Sequence, residues 1–266
     1  MGLKTLGGLL RLFYWNSKIR VARSMQFRFD FFAGLIVSLI LSSIGPVVQY
    51  LIFTKTNGYP GWNLNQVILF QGILLFWFGI KDMLFGDVRN QVESMVRKGE
   101  FDRLLLKPYP PIGILLSSGF YYYGIGSVIA GLAVMAYSIN KLNLSIGISQ
   151  IGLFILFLFC GIVLYMAITV IYCTIVIMII FMGRIGEIID KLLRFSEFPA
   201  EIFSPVTRLI FITVIPFAVW VYFPAQTLLN RLDAKAFAGA ASCFVLFALS
   251  LKLWNVCLKK YTSAGG

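Results

Sequence analysis

Residues 150–183 read QIGLFILFLFCGIVLYMAITVIYCTIVIMIIFMG and contain no Asp, Glu, Lys or Arg. The uncharged run begins at residue 142, so it covers 42 positions. One helix of that length would be roughly 63 Å long at 1.5 Å per residue, about twice the thickness of the hydrocarbon core of a bilayer. Two membrane spans joined by a tight turn near TVIYCT, residues 169–174, therefore fit this run better than one helix does.

The rest of the chain has the same character. Only 13% of its 266 residues are charged, whereas a soluble domain has roughly 25%. Several further uncharged runs reach the roughly 20 residues that cross a bilayer. The sequence thus predicts an all-α membrane protein with six transmembrane helices, at about 31–53, 64–80, 112–138, 149–168, 174–196 and 237–258.

An alternative topology remains open between residues 149 and 224. In it a single long, tilted fourth helix runs to about 181, residues 182–204 form a cytoplasmic loop, and the fifth span lies at 205–224. In the six-span prediction the charged residues from Arg184 to Arg194 lie inside span five, where ionisable groups are costly and usually face a wet cavity or one another. The i to i+4 spacing predicts that Glu187 pairs with Lys191, and Asp190 with Arg194.

Basic residues set the orientation. Six of them precede the first span, which places the N-terminus in the cytoplasm by the positive-inside rule: Lys4, Arg11, Lys18, Arg20, Arg23 and Arg28. Apolar residues at helical spacing predict that 1–28 form an amphipathic cytoplasmic helix at the membrane interface, although a frayed basic tail is the alternative. Residues 29–260 would then be one transmembrane domain, and the basic C-terminus would also be cytoplasmic.

Four prolines interrupt the segment before the last span: Pro199, Pro205, Pro216 and Pro224. Proline removes a helical hydrogen-bond donor and kinks or ends a helix. A broken hairpin over about 198–225, which enters and leaves the membrane on the outer side, fits these prolines and keeps the basic C-terminus cytoplasmic.

Several functions are excluded by what the chain lacks. It has no histidine and no CxxC pair, so a zinc site, a haem site and a His-based triad are not predicted. A phosphate loop of the GxxxxGK[ST] form is also missing, so the chain is not expected to be an enzyme that hydrolyses ATP alone. The net charge of +12 is accounted for by membrane lipids and the positive-inside bias, and nucleic acid is not an expected partner.

Charge is concentrated in one internal segment. Residues 96–111 read VRKGEFDRLLLKPYPP and follow a mixed-charge stretch from Asp87 to Gly99. Gly99 permits a turn, Phe101, Leu104 and Leu105 give the next helical turns an apolar side, and Pro108 ends them. Such an amphipathic helix with exposed charges suits a docking partner, whereas a solvated loop between two spans is the plain alternative.

The motif GEFDRLLLKP at residues 99–108 resembles the segment between spans two and three of small, six-span permeases of ABC-2 type exporters. MQFRFDFFAGLI, at the first span, and FPAEIFSPVTRLIFITVIPFAVWVYFPA, before the last span, are similar to other parts of that family. The resemblance extends over about residues 20–258. Phe101 departs from it, because the family more often has Leu there.

The resemblance implies an export permease in a bacterial-type plasma (inner) membrane, working with two separate ABC ATPase subunits and with a second permease, identical or related. This chain would bind no cofactor, and ATP and Mg would lie on the ATPases. Segment 87–108 would couple the subunits. The residues implied to form or support that coupling are Gly99, Glu100, Phe101, Asp102, Arg103, Lys107 and Pro108.

The resemblance also gives the charged residues of span five a role. They would border the translocation pathway: Arg184, Glu187, Asp190 and Lys191. An aromatic-rich interior would suit an amphiphilic or hydrophobic substrate, whose identity the sequence does not indicate. A secondary transporter or channel that works without an ATPase is the alternative, which inverted sequence repeats would favour.

Overall fold

The computed structural model describes residues 3–56, 58–179 and 185–261, with side chains from residue 6 onward. Within these ranges the chain is helical and has no strand, which confirms the predicted all-α class. The helices are α1 (Leu3–Ser24), α2 (Arg28–Lys55), α3 (Leu64–Phe85), α4 (Val88–Arg97), α5 (Phe101–Leu105), α6 (Pro111–Ser117), α7 (Gly124–Leu142), α8 (Ile148–Met178), α9 (Ile185–Leu193), α10 (Pro205–Leu209), α11 (Tyr222–Leu228) and α12 (Lys235–Lys259).

Among the described residues, five helical stretches are long and apolar enough to cross a membrane. They are Arg28–Lys55, Leu64–Arg97, Gly124–Leu142, Ile148–Met178 and Lys235–Lys259. The region predicted as a span at 112–138 is divided into α6 and α7 by a break at residues 118–123. Several apolar helices in one chain are those of a multi-pass membrane protein.

The predicted turn at residues 169–174 is wrong. Helix α8 continues unbroken from Ile148 to Met178, about 46 Å at 1.5 Å per residue. The hydroxyls of Thr169 and Thr174 donate to the carbonyls of Tyr165 and Val170, four residues earlier, so both polar side chains are satisfied within the helix. The segment also has no Gly or Pro to break the helix. The long fourth helix of the alternative topology is closer to the structure here.

Helix α9 and the residues that follow it contact α4, α3 and the loop before α3. At Asp190 it contacts Arg89 of α4, with 2.6 Å between carboxylate and guanidinium, and the carbonyl of Glu197 accepts from Gln71 near the start of α3. Next, Glu201 accepts from the indole of Trp62, which precedes α3. Residues 190–201 thus pass from one end of the bundle to the other. A loop over 182–204 that stays at one end of the bundle, as the alternative topology has it, does not describe residues 190–201.

Short helical pieces make up the chain from Pro199 to Asn230. Pro199 and Pro216 each precede a 3-10 turn, Pro205 is the first residue of α10, and Pro224 lies in the first turn of α11, where its missing N–H is tolerated. A π-turn at Ile210–Val214 adds a further irregularity. Every residue of α11 is buried. The prolines are therefore accommodated at the starts of short helices, as expected for a broken segment.

This broken segment begins and ends at the same end of the bundle. Glu201 lies beside Trp62, just before α3, and Asn230 accepts from Gln150 at the start of α8. Between them, the indole of Trp220 donates to the carbonyl of Gly161, in the middle of α8. The segment thus enters the bundle as far as Gly161 and comes back out.

Glycines allow α3 and α7 to pack closely. A Cβ on Gly131 of α7 would lie 2.8 Å from the carbonyl oxygen of Gly72, and one on Gly72 of α3 would lie 2.8 Å from the backbone nitrogen of Met135. These distances are shorter than van der Waals contact and involve backbone atoms, which cannot move aside as a side chain can. Small residues commonly bring membrane helices together in this way.

Gly131→Ala is expected to destabilise the protein by about 1–3 kcal/mol, because the methyl group forces α3 and α7 apart. Gly152→Ala is the matched control, since nothing lies within 4 Å of its Cβ position in α8. The control should be neutral or stabilising, by up to about 1 kcal/mol, because alanine favours the helix over glycine. Thermal unfolding of the two purified variants in detergent gives the comparison, and equal unfolding temperatures would contradict close packing at Gly131.

Candidate functional site

The candidate site is the polar turn between α4 and α5, and Gly99 shapes it. Gly99 has a φ of +66°, which a side chain would strain. Its N–H donates to the carbonyl of Val96, and the N–H of Glu100 donates to that of Met95. Together these bonds form the Schellman arrangement that closes a helix and reverses its direction. The helix–turn–helix expected over residues 87–108 is therefore present.

Each side of the turn has a different environment. Phe101 is fully buried, with its ring 6.4 Å from that of Trp254 and 5.1 Å from that of Tyr261, and Leu104 is buried beside it. These residues anchor α5 to the end of α12. The other side of the turn is exposed and combines charged and apolar side chains, namely Glu100, Arg103, Leu105, Leu106, Lys107 and Pro108. Asp102 lies between the two environments.

Leu106 is the most exposed apolar residue of the turn, at 87% of its surface. The sequence motif did not single it out. Leu106 lies between Leu105 and Lys107, so an exposed apolar side chain stands next to a basic one. This is the pattern of a docking contact.

Helix α4 packs through one apolar face. Val88, Val92 and Val96, at i, i+4 and i+8, are buried, and α4 lies against α8. Its polar residues, with Asp87 just before it, contact α1, the break between α6 and α7, α8 and α9. The result is a short helix that is held on one side and bonded to its neighbours on the others.

Three of these contacts connect α4, or the residue just before it, to α1 and to the break between α6 and α7. The carboxylate of Asp87, just before α4, is 2.6 Å from the guanidinium of Arg20 in α1. The amide of Gln91 donates to the carbonyl of Ser118 at 2.7 Å and accepts from the hydroxyl of Ser118 at 2.6 Å. Ser118 lies in the break between α6 and α7, so α4 is tied to the break itself.

Two further bonds connect α4 to α8 and α9. The hydroxyl of Tyr172 in α8 donates to the carboxylate of Glu93. Arg89 bonds Asp190 of α9 at 2.6 Å, and its guanidinium lies 5.4 Å from the centre of the Tyr172 ring, within cation–π range. A movement of α4 would therefore act directly on both α8 and α9.

Among the described residues, neither of the ion pairs that the i to i+4 spacing predicts for span five is formed. Glu187, Asp190 and Lys191 lie in α9 and are exposed, whereas Arg184 is outside the described residues. Asp190 was predicted to pair with Arg194. Among the described side chains, it forms its ion pair with Arg89 instead. Helix α9 ends at Leu193, so Arg194 lies in a 3-10 turn, where the α-helical spacing no longer holds. No ion pair joins Glu187 to Lys191 in the part of the chain that the structure describes.

A carboxylate that the sequence reasoning missed organises the opposite end of the bundle. Glu201 accepts from the indole of Trp62 at 2.9 Å and from the hydroxyl of Tyr222 at 2.6 Å. The guanidinium of Arg208 lies 3.7 Å from the same carboxylate. The only signal in the sequence was an acidic residue between Pro199 and Pro205 in an apolar segment, because the partner Trp62 is 139 positions away. Glu201 thus fastens the broken segment to the loop before α3.

The chain matches a known protein family. The family model described as "ABC-2 family transporter protein" matches residues 39–265, which is most of the chain. No curated protein matches it.

Proposed function

The chain belongs to the ABC-2 family of transporter proteins, and from this premise we propose that it couples ATP hydrolysis on a separate ATPase to the export of an amphiphilic or hydrophobic substrate. Membership makes the chain the membrane-spanning permease component of an ABC transporter, which associates with an ABC ATPase. What we propose beyond family membership is the direction of transport, the substrate class and the residues that couple the permease to the ATPase.

One observation supports the proposal most strongly: the exposed turn from Glu100 to Pro108 is rigidly joined to the helices of the bundle. Phe101 anchors the turn to α12. Helix α4, which precedes it, is bonded to α8 through Glu93 and to α9 through Arg89. A partner that pushes on the turn would therefore move membrane helices and not only a loop.

The proposed topology places this turn in the cytoplasm together with both termini, in a bacterial-type inner membrane. In the proposed topology the chain also passes from the inside to the outside in the region that includes residues 190–201, which together with the five long apolar stretches would make six crossings. Segment 198–225 would re-enter the membrane from outside, which is supported by its return to the same end of the bundle. The exposed charges of α9 then need a wet pathway or a second permease subunit, because lipid would not solvate them.

In the proposed complex two ATPases and a second permease, identical or related, complete the transporter, and ATP and Mg bind only to the ATPases. Nucleotide closes the ATPase pair, the turn at Glu100–Pro108 moves with it, and α4 carries this movement to α8 and α9. The pathway between the permeases then opens to the outside. The ATPase must contact the turn differently in its two states, since equal binding would shift no equilibrium.

The test uses Asp102→Asn and Lys107→Gln in the complete transporter. Each should reduce substrate export per ATP hydrolysed by about fivefold or more, the lower end of typical coupling energies, while the complex still assembles. Lys141→Gln, which removes an exposed lysine at the end of α7, is the control and should leave export unchanged. Export and ATP hydrolysis are measured in the same proteoliposomes.

Unchanged export per ATP in both variants would count against the coupling role of the turn. Full export by the permease alone, in liposomes that hold no ATPase, would overturn the proposed function as a whole.

A further inference from the structure

Helix α1 is held on the bundle through one of its faces. Leu9 is buried where α1 packs on α6. The side-chain amide of Asn16 donates to the carbonyl of Ser117 at 3.1 Å, and the guanidinium of Arg20 donates to the carbonyl of Phe120 at 3.2 Å. These contacts are spread over roughly three turns of the helix, so α1 has a fixed position and direction beside α6.

A second face of α1 is apolar and exposed. Leu6, Leu10 and Tyr14 follow one another at four-residue intervals, and 50%, 63% and 61% of their surfaces are exposed. Met25, just beyond the end of the helix, continues the row and is 44% exposed. Exposed apolar patches of this kind mark interaction surfaces. Since the row runs the whole length of α1, its partner lies along the helix and does not only contact one end.

The end of α1 lies at the level of a bilayer surface. Helix α1 ends at Ser24, and the apolar helix α2 begins at Arg28. Near the start of α2, Phe31 stacks on Tyr122 with 4.9 Å between the ring centres, and α7 begins just after that tyrosine. Both α2 and α7 are long and apolar enough to cross a membrane. They therefore enter the bilayer beside the end of α1, on the side that the proposed topology makes cytoplasmic.

The charge on α1 indicates which partner covers the apolar row. The helix has no Asp or Glu, and Arg11 and Lys18 are exposed on the side opposite Arg20. The ammonium group of Lys18 lies 5.2 Å from the centre of the Trp15 ring, and such an aromatic residue suits the headgroup level of a bilayer. An apolar row flanked by basic residues fits a membrane surface, where acyl chains cover the row and lipid phosphates meet the cations. A protein partner at this level would have to displace lipid and to present acidic residues.

Arg20 connects α1 to α4. Its guanidinium is 2.6 Å from the carboxylate of Asp87, and 33% and 21% of the two side chains are exposed. The same carboxylate accepts from the amide of Gln91 of α4 at 2.9 Å. Asp87 is therefore held by α1 on one side and by α4 on the other. If α1 shifts on the membrane, the beginning of α4 must shift with it or lose this ion pair.

We propose that α1 binds anionic lipids of the cytoplasmic leaflet, and that this contact holds α4 in place through the ion pair of Arg20 and Asp87. The position of α4 then depends on lipid charge, and so does the coupling of ATP hydrolysis to export. The lipid contact is a property of α1 and stands without the proposed function. Only the effect on export rests on the proposed function.

The first test measures the depth of the apolar row in the membrane. A nitroxide label is attached to Leu10→Cys in the full-length chain, with Cys257→Ser as the background because the other three cysteines are buried. The chain is reconstituted in vesicles of phosphatidylcholine with or without phosphatidylglycerol. Collisions of the label with a water-soluble relaxation agent should be fewer when phosphatidylglycerol is present, because its charge draws α1 onto the surface. Equal collision rates in the two membranes would overturn the proposal.

The double variant Arg11→Gln, Lys18→Gln tests the charge of α1 on the same labelled chain. Each basic residue near an anionic surface contributes about fivefold in membrane affinity, so the double variant should bind roughly 30-fold more weakly. Its label should then respond little to phosphatidylglycerol. Lys141→Gln removes an exposed lysine at the end of α7 and should keep the full response. A full response by the double variant would show that these two residues do not recognise lipid, and would overturn the proposal.

The second test measures export per ATP hydrolysed by the complete transporter in the same two membranes. Phosphatidylglycerol should raise this ratio by about fivefold, the lower end of typical coupling energies, and the double variant of Arg11 and Lys18 should lose the gain. Asp87→Asn should also lose the gain but leave the label as deep as before, because it removes the link to α4 and no cation of α1.

The outcomes separate the two parts of the proposal from the proposed function. A label that responds to phosphatidylglycerol while export per ATP does not would keep the lipid contact and overturn its control of α4. Full export without any ATPase would overturn the proposed function, whereas the response of the label would still report the lipid contact of α1.

Discussion

Leu106→Asp is expected to release the ATPase from the permease while the permease itself remains folded. Leu106 is 87% exposed, so the substitution removes little packing within the chain. In a docked complex the leucine would be buried against the ATPase, and central apolar contacts of this kind contribute about 2–4 kcal/mol, or roughly 30- to 1,000-fold in affinity. Burying an aspartate in its place adds a desolvation cost.

The measurement is the dissociation constant of the purified ATPase for the permease in nanodiscs, together with copurification of the two subunits. Ile148→Asp is the matched control, because Ile148 is 91% exposed and begins α8 at the opposite end of the bundle. Aspartate is also compatible with the first turn of a helix. An ATPase that binds Leu106→Asp as tightly as the unchanged permease would show that the turn is not the docking surface.

Local chemistry explains why this turn could be predicted from the sequence. Residue 99 has a left-handed backbone, which glycine adopts without strain, and Pro108 cannot continue α5. The mixed charges of residues 87–98 predicted an exposed helix, whereas most of these residues are partly or fully buried against other helices. All of these signals involve residues close together in the chain. Prediction of such a feature needs no knowledge of the tertiary fold.

Helix α8 shows where the same reasoning failed. The length of an uncharged run says how much chain must be accommodated in or near the bilayer, but not where it turns. The predicted turn contains Thr169 and Thr174, yet each donates to its own helix, and α8 extends about 46 Å, further than the roughly 30 Å of hydrocarbon. A tilted helix, or one that emerges from the membrane, satisfies the sequence equally well.

Contacts between residues that are far apart in the sequence cannot be predicted from residue spacing. Asp190 has a candidate partner four residues away, but Arg89, 101 positions earlier, takes its place because α4 lies against α8 next to α9. Glu201 and Trp62 are likewise distant in the sequence. Whether α9 lines the pathway depends on such contacts. In the structure, Asp190 is a charged residue that also links α9 to α4.

If Asp190 is a link, breaking its bond to Arg89 should uncouple transport from ATP hydrolysis. We expect Arg89→Gln and Asp190→Asn each to lower export per ATP by about tenfold, within the range of 5- to 150-fold that typical coupling energies give. The double variant should be no worse than either single variant, since both remove the same bond. ATP hydrolysis by the assembled complex should persist, because neither residue belongs to the exposed turn.

Glu187→Gln and Lys191→Gln distinguish this link from a simple requirement for charge on α9. Both residues are exposed on the same helix, and neither has an ion pair with α4 among the described residues. A pathway that needs charge would be impaired by all four single substitutions, and the double variant of Arg89 and Asp190 would then be worse than either single one. Losses confined to Arg89 and Asp190, without additivity, would identify the contact between α4 and α9 as the route by which movement of the cytoplasmic turn reaches the membrane.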